Sequence, residues 1–202
     1  MAPARDSDDI KWYAPDPRAV LTLSEFHAPR RLMRSYRSRM YALTIDQNFP
    51  AVIRACAETR EDTWLNDDLI ALYCELHARG HAHSVEAWED DKLIGGLYGV
   101  AVPKIEYGLT VPGDKVFCGE SMFSRARDAS KLALVHLVAW LNGRHFTHLD
   151  AQFQTEHLAQ FGFKEMRAAD YFLLLGADFN TGTGAGGAAG AGGSPHPTTH
   201  TS

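Results

Sequence analysis

The fold of this chain is decided by residues 117–152, FCGESMFSRARDASKLALVHLVAWLNGRHFTHLDAQ. The stretch predicts a strand, a turn, a helix and a second strand, in that order. The first strand, over 116–123, is short and apolar, and Asp128 is placed to cap the helix that follows it. Three leucines of this helix are spaced i, i+3, i+7 and therefore share one face: Leu134, Leu137 and Leu141.

The second strand, over 147–154, alternates apolar and polar side chains. Leu149 falls on one face, and Asp150 and Gln152 fall together on the other, because side-chain direction reverses at each strand residue. A carboxylate and a carboxamide held side by side suit the orientation of an amine. We therefore predict that Asp150 and Gln152 form a reaction centre.

The composition is that of one globular domain with a sizeable core: 202 residues, 45% hydrophobic and 22% charged. The net charge of −5 argues against a general nucleic-acid binder but allows a local basic patch. Its three cysteines have no metal-ligand spacing and are typical of reduced thiols. Neither an apolar signal segment nor a stretch of membrane-spanning length is present, so we expect a cytoplasmic protein without a membrane partner.

One segment is strongly basic, with five arginines and no acidic residue between 27 and 41. On a helix that starts near Pro29, three of these arginines lie at i, i+4, i+7 and share one face: Arg30, Arg34 and Arg37. Such a stripe is either an ordinary solvated helix face or a contact surface for a phosphate backbone. The first is the commoner case, but the acidic balance of the rest of the chain keeps the second interpretation open.

Other patterns predict a helix over 49–58 and another that Asn66 caps. The second helix directs four side chains to the core: Leu69, Leu72, Tyr73 and Leu76. A β-hairpin should follow, with Gly95, Gly96 and Gly99 marking a bulge or a close ligand approach. The polar stretch 103–115 is predicted to be a loop, with a lid as one interpretation, and 163–175 to form one or two strands.

Alternate strand positions can chelate a metal, and His81 and His83 occupy such positions. No third ligand type lies nearby at a telling spacing, so we interpret them as structural or orienting histidines and predict no metal. Residues 1–10 should form a flexible tail, 11–175 the folded domain, and 176–202 a disordered tail rich in Gly, Ala, Thr and Pro.

Seven motifs resemble the leucyl/phenylalanyl-tRNA–protein transferase family over roughly residues 11–175. They are WYAPDPR (12–18), DTW (62–64), GHAHSVE (80–86), GGLYGV (95–100), GESMFSR (119–125), ASK (129–131) and DAQ (150–152). The element order likewise resembles the GNAT acyltransferase fold. The resemblance implies an α+β, GNAT-like domain with a mixed, mostly antiparallel sheet flanked by helices.

The family moves Leu, Phe or sometimes Met from aminoacyl-tRNA to proteins with an N-terminal Arg or Lys, which marks them for degradation. By resemblance, the reaction centre is Asp150 and Gln152, and Arg30, Arg34 and Arg37 contact the tRNA acceptor stem. Trp64 would support the 3′ adenosine, and Glu120 would lie at the aminoacyl end. The side-chain pocket would be formed by Leu97, Phe117, Leu134, Leu137, Leu141 and Leu149.

Phe117 and Glu120 would lie on opposite faces of a regular strand. For both to reach one site the strand must kink, and a bulge is least costly at Gly119. We expect Asp150 to orient Gln152 and hold positive charge, while the Gln152 carbonyl accepts a hydrogen bond from the attacking amine, in preference to Asp150 acting as a general base. We expect no cofactor, and a monomer.

The chain departs from the family pattern in three places. It begins just after the additional N-terminal domain that members usually carry, Thr155 replaces a frequent Asn, and the insert over 103–115 is longer than usual. Two alternatives therefore stay open: a non-catalytic tRNA-binding remnant, and an acyl-CoA-dependent N-acetyltransferase on the same fold. The second is disfavoured because the turn 125–130 lacks glycine and Asp128 places negative charge where phosphates would bind. A Cys118 nucleophile is a weak further option, because no histidine is placed by sequence to activate it.

Overall fold

The computed structural model of the protein describes residues 14–59, 63–106 and 109–176. The predicted tail 1–10, and all of the predicted tail 176–202 except Gly176, lie outside these residues. The described strands are β1 Arg18–Thr22, β2 Ala42–Ile45, β3 Ala82–Glu89, β4 Lys92–Glu106, β5 Leu109–Ser124, β6 Phe146–Gln152 and β7 Lys164–Met166. The described helices are α1 Arg30–Arg37, α2 Phe49–Glu58, α3 Asp67–Ala78, α4 Ala129–Asn142, α5 Glu156–Ala159 and α6 Ala168–Leu174.

The strands form one seven-stranded sheet in the order β2-β3-β4-β5-β6-β1-β7. Every neighbouring pair is antiparallel except β5 and β6, which are parallel. Parallel neighbours need a long crossover, and α4 supplies it, as the central strand–helix–strand stretch predicts. The α+β fold with a mostly antiparallel sheet is confirmed.

Helices cover both faces of the sheet. The leucine stripe of α4 is buried in the larger core cluster, with Leu134, Leu137 and Leu141 at most 2% exposed. On the opposite face, α2 and α3 pack over Tyr98 and Phe123 in a second cluster. A third, small cluster places Tyr171 of α6 against Val20 and Val116.

Of two helix starts predicted from capping side chains, the structure confirms one. The Asn66 side chain accepts a hydrogen bond from the Leu69 amide at 2.9 Å, as predicted for α3. The prediction that Leu72 faces the core is wrong: Leu72 is 49% exposed, while Leu69 and Ile70 are buried. Asp128 was also misassigned, because it lies at φ 60° and its side chain does not cap α4.

The Asp128 carboxylate instead pairs with three cations: Arg31 Nη1 lies at 2.8 Å, Lys131 Nζ at 3.3 Å and Arg127 Nε at 3.8 Å. These contacts hold the pKa of Asp128 below its usual range, with the Arg31 hydrogen bond as the largest cause. The negative charge that argues against phosphate binding at this turn is thus compensated within the chain.

Two further predictions about local structure are wrong. Most of the predicted loop 103–115 belongs to an extension of the β4–β5 hairpin, since β4 continues to Glu106 and β5 begins at Leu109. The predicted strand over 163–175 is confirmed only as β7 Lys164–Met166, because residues 168–174 form α6. None of the described helices is long and apolar enough to cross a membrane.

His83 has a structural role, as interpreted from the sequence. Its Nδ1 lies 2.7 Å from Asp46 Oδ2, and its ring lies 4.8 Å from the Trp140 ring. His81, by contrast, is exposed at the start of the hairpin. Among the residues that the model describes, no group of three or more His, Cys, Asp or Glu could hold a metal ion.

Candidate functional site

A cavity of about 280 Å³ lies where β5 and β6 separate. Backbone pairing between these parallel strands ends at Cys118 and Asp150, and β5 continues alone beside β4. The wall contains Leu134 and Leu137 from α4 and Leu149 from β6. The other lining residues are Leu97, Tyr98, Gly119, Glu120, Ser121, Met122, Ala151, Gln152, Phe153, Thr155, His157, Leu158 and Phe163.

A bulge on β5 brings Glu120 to the cavity. Tyr98 pairs with Ser121 while the next residue, Gly99, pairs with Gly119, so that Glu120 is the extra residue. The predicted kink at Gly119 is therefore confirmed. The close approach expected at Gly99 is made by the neighbouring strand: a Cβ there would lie 2.3 Å from the Cys118 carbonyl oxygen.

A second bulge lies on β6, immediately before Gln152. Ala19 of β1 pairs with Gln152 and Val20 pairs with Asp150, which leaves Ala151 as the extra residue. Gln152 then has φ 62°, and the Phe153 amide donates to the Ala151 carbonyl at 2.7 Å. A hydrogen bond from residue i+2 to residue i around a positive φ is a classic γ-turn, which is rare and strained. The turn directs Gln152 into the cavity.

Asp150 lies behind the cavity rather than in it, and this corrects the expected arrangement. Strand alternation places Leu149 and Ala151 on the cavity side, and the bulge then brings Gln152 to that side too. Asp150 is fully buried, and its Oδ1 accepts a hydrogen bond from the Gln152 backbone amide at 2.8 Å. The two side chains are linked through the backbone and do not lie together on one surface.

The other carboxylate oxygen of Asp150 forms an ion pair with Arg18 Nη2 at 2.6 Å. Both oxygens of the carboxylate are therefore engaged within the protein. This geometry suits Asp150 to holding the Gln152 turn and not to accepting a proton from a substrate.

The Gln152 side-chain amide has a contact within the protein and also borders the cavity. Its Nε2 lies 3.5 Å from the Asp150 carbonyl oxygen, and the residue lines the cavity. An amide oxygen is a hydrogen-bond acceptor that carries no net charge. It can accept from an amine without forming an ion pair with the protonated, unreactive form.

Glu120 is half-buried at the cavity, and its pKa is raised by burial, with hydrogen bonding to Tyr73 opposing the rise.

Cys118 lies on the Asp150 side of the sheet, where its Sγ is 3.5 Å from the Tyr171 hydroxyl. Burial, aided by the Asp150 charge, raises the pKa of the Cys118 thiol to about 12. A thiol with that pKa is not a nucleophile at neutral pH, and this removes the Cys118 option.

The cavity brings together six of the predicted site residues: Leu97, Glu120, Leu134, Leu137, Leu149 and Gln152. Phe117 and Leu141 are fully buried in the core and do not line it. Trp64 is also outside the cavity: it packs edge-on against Tyr73, with 6.1 Å between ring centroids. The pocket roles of Phe117 and Leu141 and the 3′-adenosine role of Trp64 stay predictions.

Sequence reasoning missed Phe153, which lines the cavity yet is 52% exposed, and His157, whose pKa is lowered by burial. It also missed Arg18 as the partner of Asp150. Arg18 lies in one of the recognised motifs, WYAPDPR, but 132 residues separate it from Asp150. The motif was a usable signal for Arg18, whereas nothing in the local pattern indicated which acid it would meet.

The arginine stripe is present on α1 as predicted. Arg30, Arg34 and Arg37 are exposed. Arg31, on the same helix, is instead engaged by Asp128. Helix α1 therefore presents three guanidinium groups outward, while a fourth, that of Arg31, forms an ion pair within the protein.

Comparison with known proteins assigns the family. The sequence model described as "Leucyl/phenylalanyl-tRNA protein transferase" matches residues 20–176. A curated "Leucyl/phenylalanyl-tRNA--protein transferase" from Maricaulis maris is 44% identical over 89% of this chain and 82% of its own length. The same-named proteins from Phenylobacterium zucineum and Caulobacter vibrioides are 48% and 49% identical, over 87% and 85% of this chain and 76% and 75% of their own lengths.

Among solved structures, a predicted acetyltransferase from Clostridium acetobutylicum has a TM-score of 0.48 at 12% identity, covering 63% of this chain and 92% of its own. A ribosomal-protein-alanine N-acetyltransferase from Brucella melitensis has a TM-score of 0.38 at 15% identity, covering 71% and 97%. Neither likeness bears on activity.

The chain is an aminoacyltransferase. It belongs to the leucyl/phenylalanyl-tRNA–protein transferase family, and the resemblance drawn from its motifs is confirmed.

Proposed function

We propose that this chain transfers a leucyl or phenylalanyl group from tRNA to the N-terminal Arg or Lys of a protein, with Gln152 at the reaction centre. The observation that carries the proposal is an apolar cavity that ends at a polar side chain held on a fixed turn. The product would carry a destabilising N-terminus that directs the protein to degradation.

The cavity suits one apolar amino-acid side chain. At about 280 Å³ it lies just below the range of about 300–1,000 Å³ typical of small-molecule sites. Leu97, Leu134, Leu137 and Leu149 supply apolar surface. Selection by shape discriminates by only about 1–3 kcal/mol per methylene, so Met should be accepted as a minor substrate.

The chemistry is aminolysis of an ester by an α-amine. The unperturbed pKa of such an amine is about 7.7–8.0, so roughly a tenth is already neutral at pH 7, and freeing it costs only about 1.4 kcal/mol. Alignment contributes more, up to about 7–11 kcal/mol in favourable cases. The Gln152 side-chain carbonyl accepts a hydrogen bond from the attacking amine. The Glu120 carboxylate, at the same cavity, can hold a positively charged amino group of a substrate.

The exposed arginines of α1 would contact the phosphates of the acceptor stem. We also propose that the chain acts as a monomer.

The test is transfer of radiolabelled Leu and Phe from charged tRNA to a peptide that begins with Arg, using the 202-residue chain. We expect transfer by the native chain and its loss both in the single variant Gln152→Ala and in the double variant Asp150→Ala, Gln152→Ala. Gln154→Ala is a matched control, because Gln154 lies two residues further on, bonds the Phe163 carbonyl at 2.8 Å and does not line the cavity.

Retention of transfer in Gln154→Ala with loss in Gln152→Ala would support the proposed centre. A folded native chain that transfers neither amino acid would overturn the function. Equal loss in the two glutamine variants would overturn the role of Gln152 alone.

A further inference from the structure

Behind the cavity, Arg18 is held by two contacts. Its Nη2 pairs with Asp150 Oδ2 at 2.6 Å, and its guanidinium carbon lies 4.4 Å from the centre of the Tyr171 ring. The Arg18 side chain is 13% exposed, Asp150 is fully buried and Tyr171 is 4% exposed. The buried Nε of Arg18 has no hydrogen-bond partner within the part of the chain that the model describes, so Asp150 and Tyr171 fix this side chain.

From Asp150 the contacts continue to the cavity. The carboxylate oxygen that Arg18 does not bind accepts from the Gln152 backbone amide at 2.8 Å, inside the γ-turn. Gln152 occupies a left-handed conformation that a non-glycine residue adopts only when the surroundings hold it there. An amide–carboxylate hydrogen bond is charge-assisted, and it is the contact that fixes the start of the turn.

A fully buried carboxylate is costly unless it is paired, and removing one partner of a buried ion pair leaves an uncompensated charge. Within residues 14–59, 63–106 and 109–176, the other titratable groups named near Asp150 supply no cation. Cys118 and Tyr171 are neutral at pH 7, since burial raises the pKa of each, and Glu120 is acidic. Arg18 is thus the cation that pairs with the Asp150 carboxylate and holds it in place.

We propose that Arg18, braced by the Tyr171 ring, is a positioning residue that acts through Asp150 to hold the Gln152 turn in its reactive orientation. The inference rests on the proposed function, because it concerns the same site. It assigns Arg18 no contact with substrate. Its effect should therefore appear in kcat and not in KM.

The experiment measures steady-state transfer from phenylalanyl-tRNA to an Arg-initiated peptide for four variants: Arg18→Met, Arg18→Lys, Asp150→Asn and the double variant Arg18→Met, Asp150→Asn. Arg18→Met keeps the aliphatic stem and removes the charge. Because misplacement of a reacting group by about 1 Å can cost about 100-fold, we expect kcat to fall about 100-fold. KM for both substrates should stay within about twofold of the native value.

Arg18→Lys, which keeps the charge but loses the planar guanidinium, should recover about a tenth of the native kcat. If Arg18 acts through Asp150, the double variant will be no slower than Asp150→Asn, so the two losses will not multiply. Arg167→Met is the matched control, because Arg167 pairs with exposed Asp170 on α6, away from the cavity. Its kcat should not change.

The proposal would be overturned if the loss of kcat in the double variant equalled the product of the two single losses. A change in KM with native kcat would also overturn it. Urea denaturation shows whether each variant folds. If Arg18→Met does not fold, the proposal is tested with Arg18→Lys and Tyr171→Leu. Tyr171→Leu removes the ring but leaves the ion pair, and it should lower kcat by about 3- to 10-fold, because a face-on cation contact contributes about 1 kcal/mol. Native kcat in both would also overturn the proposal. An inactive native chain would instead defeat the proposed function.

Discussion

The two sides of the β5–β6 junction differ in chemistry although the same strands build them. The cavity side is lined by leucines, and two bulges bring Glu120 and Gln152 to it. The opposite side buries the Arg18–Asp150 ion pair beneath Tyr171. The difference indicates a division of labour in which one side meets the substrate and the other holds the geometry.

The division follows from strand alternation together with its interruption. In regular strands, Asp150 and Gln152 would share the face opposite Leu149 and Ala151, and the Gln152 amide would then lie behind the cavity, beside the ion pair. The bulge at Ala151 separates them, so that the carboxylate stays buried and paired while the amide reaches the cavity.

The largest expected effect is a difference in the free energy of unfolding between variants on the two sides of the β5–β6 junction. Asp150→Ala leaves Arg18 without its carboxylate in a buried position, and the free energy of unfolding should fall by about 3–5 kcal/mol. Gln152→Ala removes a side chain whose amide makes only a 3.5 Å contact, so the loss should be about 1 kcal/mol or less. Urea denaturation of both variants checks this, and equal losses would mean that the two sides are not distinct.

The next prediction tests which part of the α4 stripe belongs to the cavity. Leu137 lines it, whereas Leu141, one turn on, is fully buried elsewhere in the core. Replacing either leucine by alanine should lower the free energy of unfolding by about 2–5 kcal/mol, with Leu141 at the upper end.

Only Leu137→Ala should change substrate choice. The enlarged cavity should shift the ratio of Phe to Leu transfer by about tenfold in favour of Phe. Competition between the two charged tRNAs measures the ratio. The same shift in Leu141→Ala would show that the cavity extends further into the core than its lining residues indicate.

A smaller effect is expected on α1, away from the junction. Arg34→Gln removes an outward-facing charge, and the slope of log affinity for tRNA against log salt should weaken by about 0.7–0.9. Arg31→Gln removes the same charge from the same helix, but this guanidinium already pairs with Asp128, so the slope should not change. Filter binding across a salt series makes the comparison, and identical slopes in the two variants would exclude the stripe as the phosphate contact.

The smallest effect concerns the pH dependence of Glu120. Burial raises the pKa of this carboxyl above its ordinary value, so folding favours its protonated form. Its stabilising contribution is therefore full below the ordinary pKa and is lost as pH rises through the raised folded pKa. Glu120→Gln lacks this titration and should gain stability relative to the native chain as pH rises across that window.

Transfer should show the opposite dependence. If the carboxylate holds a positively charged amino group, the native rate will rise with pH through the raised pKa of Glu120, and the Glu120→Gln profile will lack this step. Thermal unfolding and transfer rates at matched pH values measure both quantities. A step that persists in Glu120→Gln would assign it to another group.

Much of the fold could be predicted, because the deciding signals are local. Asn66 caps α3, the leucine stripe of α4 faces the core, and the arginine stripe of α1 faces outward. Predictions were wrong where neighbours override local pattern. Residues 103–106 read as a polar loop, yet they are strand because the β4–β5 pairing continues through them.

For the site, the sequence by itself determined the residue types: the apolar wall, the Asp-x-Gln pair and the kink near Gly119. Only the tertiary structure decided which way each side chain points and which charge meets which. A bulge at Ala151 becomes visible only when β6 is paired with β1, and the Arg18–Asp150 contact joins residues 132 positions apart. A local sequence pattern reflects interactions between residues that are close in sequence. Strand register and ion pairing depend on residues that are close only in the folded structure.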